Sequence, residues 1–209
     1  ILIETIFDTL NCKAMIDAAL TMMKKHGVEL PVMISLTVSD LAGRTLSGQT
    51  VDAFLASLSP YPIFSVGMNC AFGAPQMKPF IEHMAQVAPY YISAHPNAGL
   101  PNEMGEYDET AESMAPQIAE FIDEGIVNII GGCCGTSPEF IAHYARIAEG
   151  KKPHQVVEKP KYMWLSAQNL LQVDDSVHLP VDASRFVNVG ERCNVAGSRK
   201  FLRLINEKN

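Results

Sequence analysis

Residues 126–138 read Ile-Val-Asn-Ile-Ile-Gly-Gly-Cys-Cys-Gly-Thr-Ser-Pro. The apolar run at 126–131 predicts a buried strand, and the glycines that follow predict a sharply turning loop. Thr136-Ser137-Pro138 predicts the start of a helix, since Ser and Thr are preferred as caps and Pro in the first turn. A strand that passes through a short loop into a helix is the unit of parallel α/β sheets, so this stretch predicts an α/β fold.

The same unit recurs about every 30 residues through the first 150 residues. No strand is followed by Gly-x-Gly-x-x-Gly, so a nucleotide-binding doubly wound sheet has no direct support, and a (β/α)8 TIM-barrel type is the other fold that fits. Five βα units are present, so an incomplete barrel is expected, with three strands before Ile1. The predicted strands are 2–6, 31–38, 63–69, 90–95 and 126–131, and the predicted helices are 9–25, 50–58, 75–87, 110–124 and 138–149.

Composition limits the function classes. The chain has 209 residues, 47% apolar and 19% charged, which is enough to bury one sizeable core. The net charge of −7 and the absence of a Lys/Arg run argue against nucleic acid as a partner. No apolar run approaches the ~20 residues that cross a bilayer, so no membrane partner is expected.

The cysteines indicate a reducing compartment. Their number is odd, two are adjacent and no secretory leader is visible, so we expect reduced thiols in the cytoplasm. The first residue is not Met, and we expect the chain to begin inside a larger protein. The five cysteines are Cys12, Cys70, Cys133, Cys134 and Cys193.

The periodic pattern changes after residue 150, which predicts three segments. Residues 1–150 form the first domain, and residues 151–185 form a surface linker without helical or strand periodicity, apart from a short apolar stretch at 163–165. Residues 186–209 begin a second domain with one strand and a short basic helix.

Cys70 and the pair Cys133 and Cys134 each follow a predicted strand. In a barrel the carboxyl ends of all strands open on one face, so these thiols can converge there. Three thiolates suit zinc, with Zn–S distances of ~2.3 Å, and three protein ligands leave the open position typical of catalytic zinc. Two other interpretations stay open from spacing alone: buried cysteines that pack as small apolar residues, and a redox pair.

Three motifs carry a resemblance to a known family. Asn69-Cys70, Pro-Asn-Ala-Gly-Leu-Pro-Asn at 96–102 and Gly-Gly-Cys-Cys-Gly-Thr at 131–136 resemble the homocysteine S-methyltransferase family. Gly-Arg-Thr-Leu-Ser-Gly-Gln-Thr at 43–50 narrows the resemblance to the cobalamin-dependent methionine synthase branch. Residues 186–201 resemble the start of the folate-binding (pterin-binding) domain of that branch, so the resemblance covers essentially the whole chain.

The resemblance implies a zinc site and a substrate site. Zinc would be held by Cys70, Cys133 and Cys134, and Asn97 would be the exchangeable fourth ligand that homocysteine displaces. Glu4 would bind the amino group of homocysteine, although a structural salt bridge fits the sequence equally well.

The remaining polar candidates receive smaller roles. His95 is expected to pack or to hydrogen bond rather than to bind metal, and Cys12 to be a buried apolar residue. Asn194 is expected to line the folate pocket, and Cys193 to have no part in the zinc site.

The implied reaction is methyl transfer from methylcobalamin to homocysteine, giving methionine. A free thiol is mostly protonated at neutral pH and is then a poor nucleophile, which zinc corrects by removing the proton. The implied partners are homocysteine, methyltetrahydrofolate through the truncated second domain, and a cobalamin module outside this chain. Two alternatives remain: a cobalamin-independent homocysteine methyltransferase that uses betaine or S-methylmethionine, against which residues 186–209 argue, and a zinc-binding remnant without turnover.

Overall fold

Helices and strands alternate along most of the chain. The computed structural model describes residues 1–159, 163–166, 170–173 and 198–207. The elements, in chain order, are β1 Leu2–Ile6, α1 Thr9–His26, β2 Met33–Leu36, α2 Val51–Leu58, β3 Ser65–Asn69, α3 Ala74–Val87, β4 Tyr91–His95, α4 Ala111–Asp123, β5 Ile129–Ile130, α5 Pro138–Ala148, β6 Met163–Ser166, β7 Leu170–Val173 and α6 Arg199–Asn206.

The first five strands form one parallel sheet in the order β1-β2-β3-β4-β5. Strand order follows chain order, and a helix follows each strand, which is the arrangement of consecutive units in a (β/α)8 barrel. The predicted α/β fold, an incomplete TIM-barrel type with five units, is therefore confirmed. Consecutive helices α1 and α2, α3 and α4, and α4 and α5 contact one another and form a layer against the sheet.

All five predicted strands and helices of this region are present. Strands β2, β3 and β5 are shorter than the apolar runs that predicted them, because buried residues continue beyond the hydrogen-bonded ladder. Val32 and Val38, which flank β2, are 2% and 1% exposed. An apolar run in the sequence indicates which residues are buried, and the hydrogen-bonded part of the strand is shorter than the buried part.

The helix ends follow local sequence signals. The Asp8 side chain accepts hydrogen bonds from the backbone N–H groups of Leu10 and Asn11, and Gly27 ends α1 in the left-handed conformation. Ser137 occupies the cap position of α5 but makes no side-chain cap hydrogen bond there. The Thr136 hydroxyl instead donates to the backbone oxygen of Cys133 at 2.7 Å, so it holds the cysteine loop rather than the helix.

The structure differs from the sequence analysis within the predicted linker. Strands β6 and β7 pair antiparallel, and both contact α2. Each strand is only four residues long, too short for its periodicity to be recognised in the sequence. The predicted basic helix is present as α6, whereas the strand at 185–190, Cys193 and Asn194 lie outside the described residues. None of the helices described here has the length and apolar character needed to span a membrane.

Candidate metal and substrate site

The three predicted zinc ligands converge at the carboxyl ends of the strands. The sulfur atoms of Cys70 and Cys134 are 3.6 Å apart, those of Cys133 and Cys134 are 4.0 Å apart, and all three lie within 4.8 Å of one another. A tetrahedral ion with Zn–S bonds of ~2.3 Å holds its sulfurs roughly 3.8 Å apart. The donor set and its spacing therefore fit zinc, and the three side chains are half-buried, which leaves them accessible.

An unusual turn presents the Cys70 sulfur. Cys70 and Ala71 have φ angles of 60° and 61°, and the N–H of Phe72 donates to the Cys70 oxygen at 2.6 Å. This is the γ-turn with positive φ, a rare and strained conformation. Residues other than glycine adopt positive φ rarely, and such strain concentrates where a side chain must be aimed. The turn redirects the chain immediately after β3, where the thiol is needed.

The cysteine pair lies in a loop that requires glycine. Gly135 has φ of 80°, and a Cβ there would come within 2.6 Å of the Tyr107 side chain. The loop is tied to its neighbour after β4, because the N–H of Cys133 donates to the Pro96 oxygen at 2.9 Å and the N–H of Ala98 donates to the Cys134 oxygen at 2.9 Å. These bonds fix both sulfurs relative to the Pro-Asn-Ala-Gly loop.

Hydrogen bonds to sulfur differentiate the thiols. Burial raises the pKa of Cys133 to about 11, and the hydrogen bond from Asn69 acts in the opposite direction. Burial also acts to raise the pKa of Cys134, but hydrogen bonds with Cys70 and Tyr107 outweigh it and the pKa is lowered. The pKa of Tyr107 is raised, mainly by hydrogen bonding with Cys134 and to a smaller extent by burial. Without metal, Cys134 is therefore the more acidic thiol of the adjacent pair.

Asn97 lies beside the backbone of Cys134 and is 3% exposed. Its side-chain oxygen accepts a hydrogen bond from the backbone N–H of Cys134 at 3.1 Å. The backbone N–H of Asn97 donates to the backbone oxygen of Phe72 at 3.0 Å. A carbonyl oxygen has two lone pairs, so one remains to face a ligand. The arrangement leaves the predicted role as exchangeable fourth ligand chemically available.

The charge of Glu4 influences the pKa of His95. Burial lowers the pKa of His95, and the charge of Glu4 acts against that shift although β2 and β3 separate their strands. Glu4 is exposed. The group of converging ligand atoms that contains the three cysteines does not include His95, whose ring packs on Gly131. The predicted packing role of His95 agrees with this placement.

Comparison with known proteins identifies the family. The sequence model of homocysteine S-methyltransferases matches residues 1–148. The chain belongs to the homocysteine S-methyltransferase family. The family match spans the positions of all three cysteines, Glu4 and Asn97.

A solved homocysteine methyltransferase structure shares the fold. The apo form of the homocysteine methyltransferase MmuM from Escherichia coli is 20% identical, with a TM-score of 0.50 over 70% of this chain and 49% of that one. Its oxidised and metallated forms are each 21% identical, with TM-scores of 0.46 and 0.45 over 63% of this chain and 40% of theirs. The chain thus spans about half the length of the apo structure that it matches.

Three contacts at the site were absent from the sequence analysis. Tyr107 packs against the cysteine loop at Gly135 and acts to lower the pKa of Cys134, the Asn69 amide approaches the Cys133 sulfur, and Thr5 hydrogen bonds to Asn69. The positions of Asn69 and Thr5 in the sequence could have indicated a role at the site, because Asn69 directly precedes Cys70 and Thr5 directly follows Glu4. The position of Tyr107 could not have done so, since only the fold brings the loop after β4 beside the loop after β5. Cys12, expected to be an apolar residue of the core, is 0% exposed, and burial raises its pKa to about 12, which confirms that expectation.

Proposed function

We propose that this chain is the homocysteine-binding zinc module of a cobalamin-dependent methionine synthase. The convergence of the sulfur atoms of Cys70, Cys133 and Cys134 within 4.8 Å is the observation that carries the proposal. The motif at 43–50 and the family match over residues 1–148 support it. In the structure the motif forms a loop after β2, closed by hydrogen bonds between Ser39 and Arg44 and between Thr45 and Gln49 at the carboxyl-end face.

The chemistry follows from the residues at the site. Zinc held by the three cysteines would lower the pKa of an added thiol and so supply a thiolate nucleophile at neutral pH. Glu4 would bind the ammonium group of homocysteine, and Asn97 would occupy the open position until substrate arrives. The substrate sulfur then forms a bond to the methyl carbon as the bond from carbon to the donor breaks, and the thiol proton leaves to solvent. The product is the thioether methionine.

The methyl donor and its supply would come from outside residues 1–150. We propose methylcobalamin on a separate cobalamin module as the donor, recharged from methyltetrahydrofolate by a domain that begins at residues 186–209. Asn194 would contribute to the folate pocket, and residues 151–185 would connect the two domains. The proposal requires reduced thiols, which the cytoplasm provides.

Metal content and homocysteine binding test the proposal directly. We expect about one zinc per chain by elemental analysis, lost in Cys133→Ser and retained in Cys12→Ala, which removes a cysteine of the core instead. Calorimetry should show homocysteine binding with release of a proton in the zinc-loaded protein only. A folded wild-type chain without zinc would contradict the proposal.

The donor is tested separately from the metal. The zinc-loaded chain is mixed with homocysteine and either free methylcobalamin, S-methylmethionine or betaine, and methionine is measured by mass spectrometry. Methionine from methylcobalamin alone is the expected result. Methionine from S-methylmethionine or betaine would identify a cobalamin-independent enzyme, and zinc and homocysteine binding without product from any donor would identify a binding remnant.

A further inference from the structure

We propose that Asn69 is a positioning residue that fixes both halves of the site through one side-chain amide. Its N–H group orients the Cys133 sulfur, and its oxygen holds the bulge in β1 that presents Glu4. The role of Glu4 and the effect on a metal-binding Cys133 sulfur rest on the proposed function, whereas the contacts of Asn69 do not.

The orientation of the Asn69 amide is determined by its partners. The side-chain oxygen accepts hydrogen bonds from the Ser35 hydroxyl at 2.7 Å and from the backbone N–H of Thr5 at 3.0 Å. A backbone N–H only donates, so the atom facing it must be the oxygen. The amide nitrogen therefore points the other way, towards the Thr5 hydroxyl at 2.9 Å and the Cys133 sulfur at 3.8 Å. Asn69 is 2% exposed, so water does not compete for these bonds.

The strand that Asn69 holds is irregular at the position that matters. Ile3 pairs with Ile34 and Ile6 pairs with Leu36, so three steps along β1 oppose two steps along β2. This is a β-bulge, which is frequent next to active sites and redirects side chains. Ile3 and Ile6 are both buried, although residues three apart in a regular strand face opposite sides. The bulge thereby places Glu4 and Thr5 together on the exposed side.

The bulge is conformationally costly. Thr5 has φ of 56°, a left-handed conformation that is an outlier for a β-branched residue. Such a conformation persists only where surrounding contacts enforce it. The Asn69 amide supplies two of these contacts, one to the Thr5 N–H and one to the Thr5 hydroxyl.

The position of Asn69 explains how one residue serves both halves. It is the last residue of β3, directly before the ligand Cys70, and its own backbone oxygen accepts from the Thr37 hydroxyl at 3.0 Å. Its amide thus joins the end of β3 to β1 on one side and to the cysteine loop on the other. A hydrogen bond to a metal-binding thiolate withdraws charge from the sulfur and fixes its direction, as outer-shell partners of metal ligands do.

Two substitutions of Asn69 separate its roles. Asn69→Asp keeps an oxygen that accepts from the Thr5 N–H but cannot donate to Cys133, whereas Asn69→Leu loses both contacts at similar size. Ser35→Ala is the matched control, because it removes a partner of the same oxygen without touching Thr5 or Cys133. Circular dichroism verifies that each variant is folded.

The role of Asn69 at Cys133 is tested by two measurements. Cobalt(II) serves as a spectroscopic probe of the site, and competition with a chromophoric chelator gives the zinc affinity. In Asn69→Asp and Asn69→Leu we expect zinc affinity to fall roughly 10- to 100-fold, the usual effect of losing an outer-shell partner. The sulfur-to-cobalt charge-transfer band should move to lower energy in both, and Ser35→Ala should match wild type. An unchanged band and affinity in Asn69→Asp would overturn the role at Cys133, and so would a wild-type chain that takes up no cobalt.

The role of Asn69 at the bulge in β1 is tested without metal or substrate. Amide hydrogen exchange at the Thr5 N–H, followed by NMR, should accelerate at least 10-fold in Asn69→Leu and remain near wild type in Asn69→Asp and Ser35→Ala. Unchanged protection in Asn69→Leu would overturn the role at the bulge. Homocysteine calorimetry adds the link to function: protection lost without weaker homocysteine binding would contradict the role of Glu4 and leave the contacts of Asn69 established.

Discussion

The sulfur atoms of Cys70 and Cys134 lie 3.6 Å apart although 64 positions separate the two residues in the chain. The separation is bridged by β4, which pairs with β3 on one side and β5 on the other. Cys70 follows the last residue of β3 and Cys134 lies in the loop after β5, so the site forms only when all three strands are in register.

Loss of Cys70 should abolish tight metal binding. Cys70→Ser replaces a thiolate by a hydroxyl that zinc binds poorly, and two remaining thiolates do not make the three-ligand site. We expect zinc affinity to fall by more than about 100-fold, beyond the range for outer-shell changes. Competition with a chromophoric chelator measures it, and Cys12→Ala should bind zinc as wild type does. Equal loss in both variants would indicate a folding defect rather than a ligand.

The Tyr107 hydroxyl should matter to the metal site and little to the fold. Tyr107→Phe removes the hydroxyl that acts to lower the pKa of Cys134, and we expect zinc affinity to fall by about 10-fold. Tyr144→Phe is the matched control, since the Tyr144 hydroxyl also approaches a sulfur, that of Met114 at 3.6 Å, away from the site. If both variants bind zinc equally well, Tyr107 has no role in metal binding.

Gly67 should tolerate no side chain. A Cβ at Gly67 would lie 1.8 Å from the backbone oxygen of Ser93, in the strand paired with it, and backbone cannot move aside as a side chain can. We expect Gly67→Ala to lower the free energy of unfolding by ~3 kcal/mol or more, at the upper end for overpacking. Gly125→Ala has open space and should cost only ~1–2 kcal/mol for its left-handed φ of 64°. Urea denaturation compares the two, and a smaller loss at Gly67 would contradict the predicted clash.

The contact between Asp52 and His83 should make stability depend on pH. The Asp52 oxygen lies 2.6 Å from His83 Nε2, and this hydrogen bond, opposed by burial, raises the pKa of His83 above its ordinary value. The folded protein therefore holds the proton more tightly than the unfolded chain does. The added stability is fully present below the ordinary pKa of ~6.5 and is lost as pH rises through the raised pKa.

The side chains of His83 and Asp52 are 42% and 39% exposed, so we expect the pair to contribute only ~0.2–1 kcal/mol to the free energy of unfolding. The Tm difference between wild type and His83→Gln should be larger at pH 5.5 than at pH 9. Asp52→Asn should remove the same pH-dependent part. A difference that is equal at both pH values would show that the loss is one of packing.

The sequence predicted the fold well because its strands are apolar and its helices are capped. Each of the five strand–helix units was recognisable, and the chain order of the units is the spatial order of the sheet. The bulge in β1 was not predicted, since the pattern of Leu2–Ile6 reads as an ordinary strand and the register depends on contacts with Asn69, 64 positions away. Strands β6 and β7 were missed because four residues are too few to show a period.

The part of the candidate site that depends on residue type and sequence motif was predictable. Cys70, Cys133 and Cys134 were named from strand ends and loop glycines, and the structure brings their sulfurs together. The roles of Glu4 and Asn97 came from the family resemblance and remain predictions. Tyr107 could not be found, because an aromatic residue in a polar loop has no pattern that distinguishes a sulfur contact from surface packing.

The convergence of Cys70 and Cys134 has a consequence for how the protein opens. Whatever joins these sulfurs closes the segment from Cys70 to Cys134 into a ring. In chain-entropy terms this lowers the entropy of the unfolded chain by an amount worth about 4 kcal/mol. β4 and the helices α3 and α4 lie inside that ring, whereas β1, α1 and β2 lie outside it. Ligation at the site would thus make the segment from β3 to β5 the last to open, and leave the strand that bears Glu4 free to fray first.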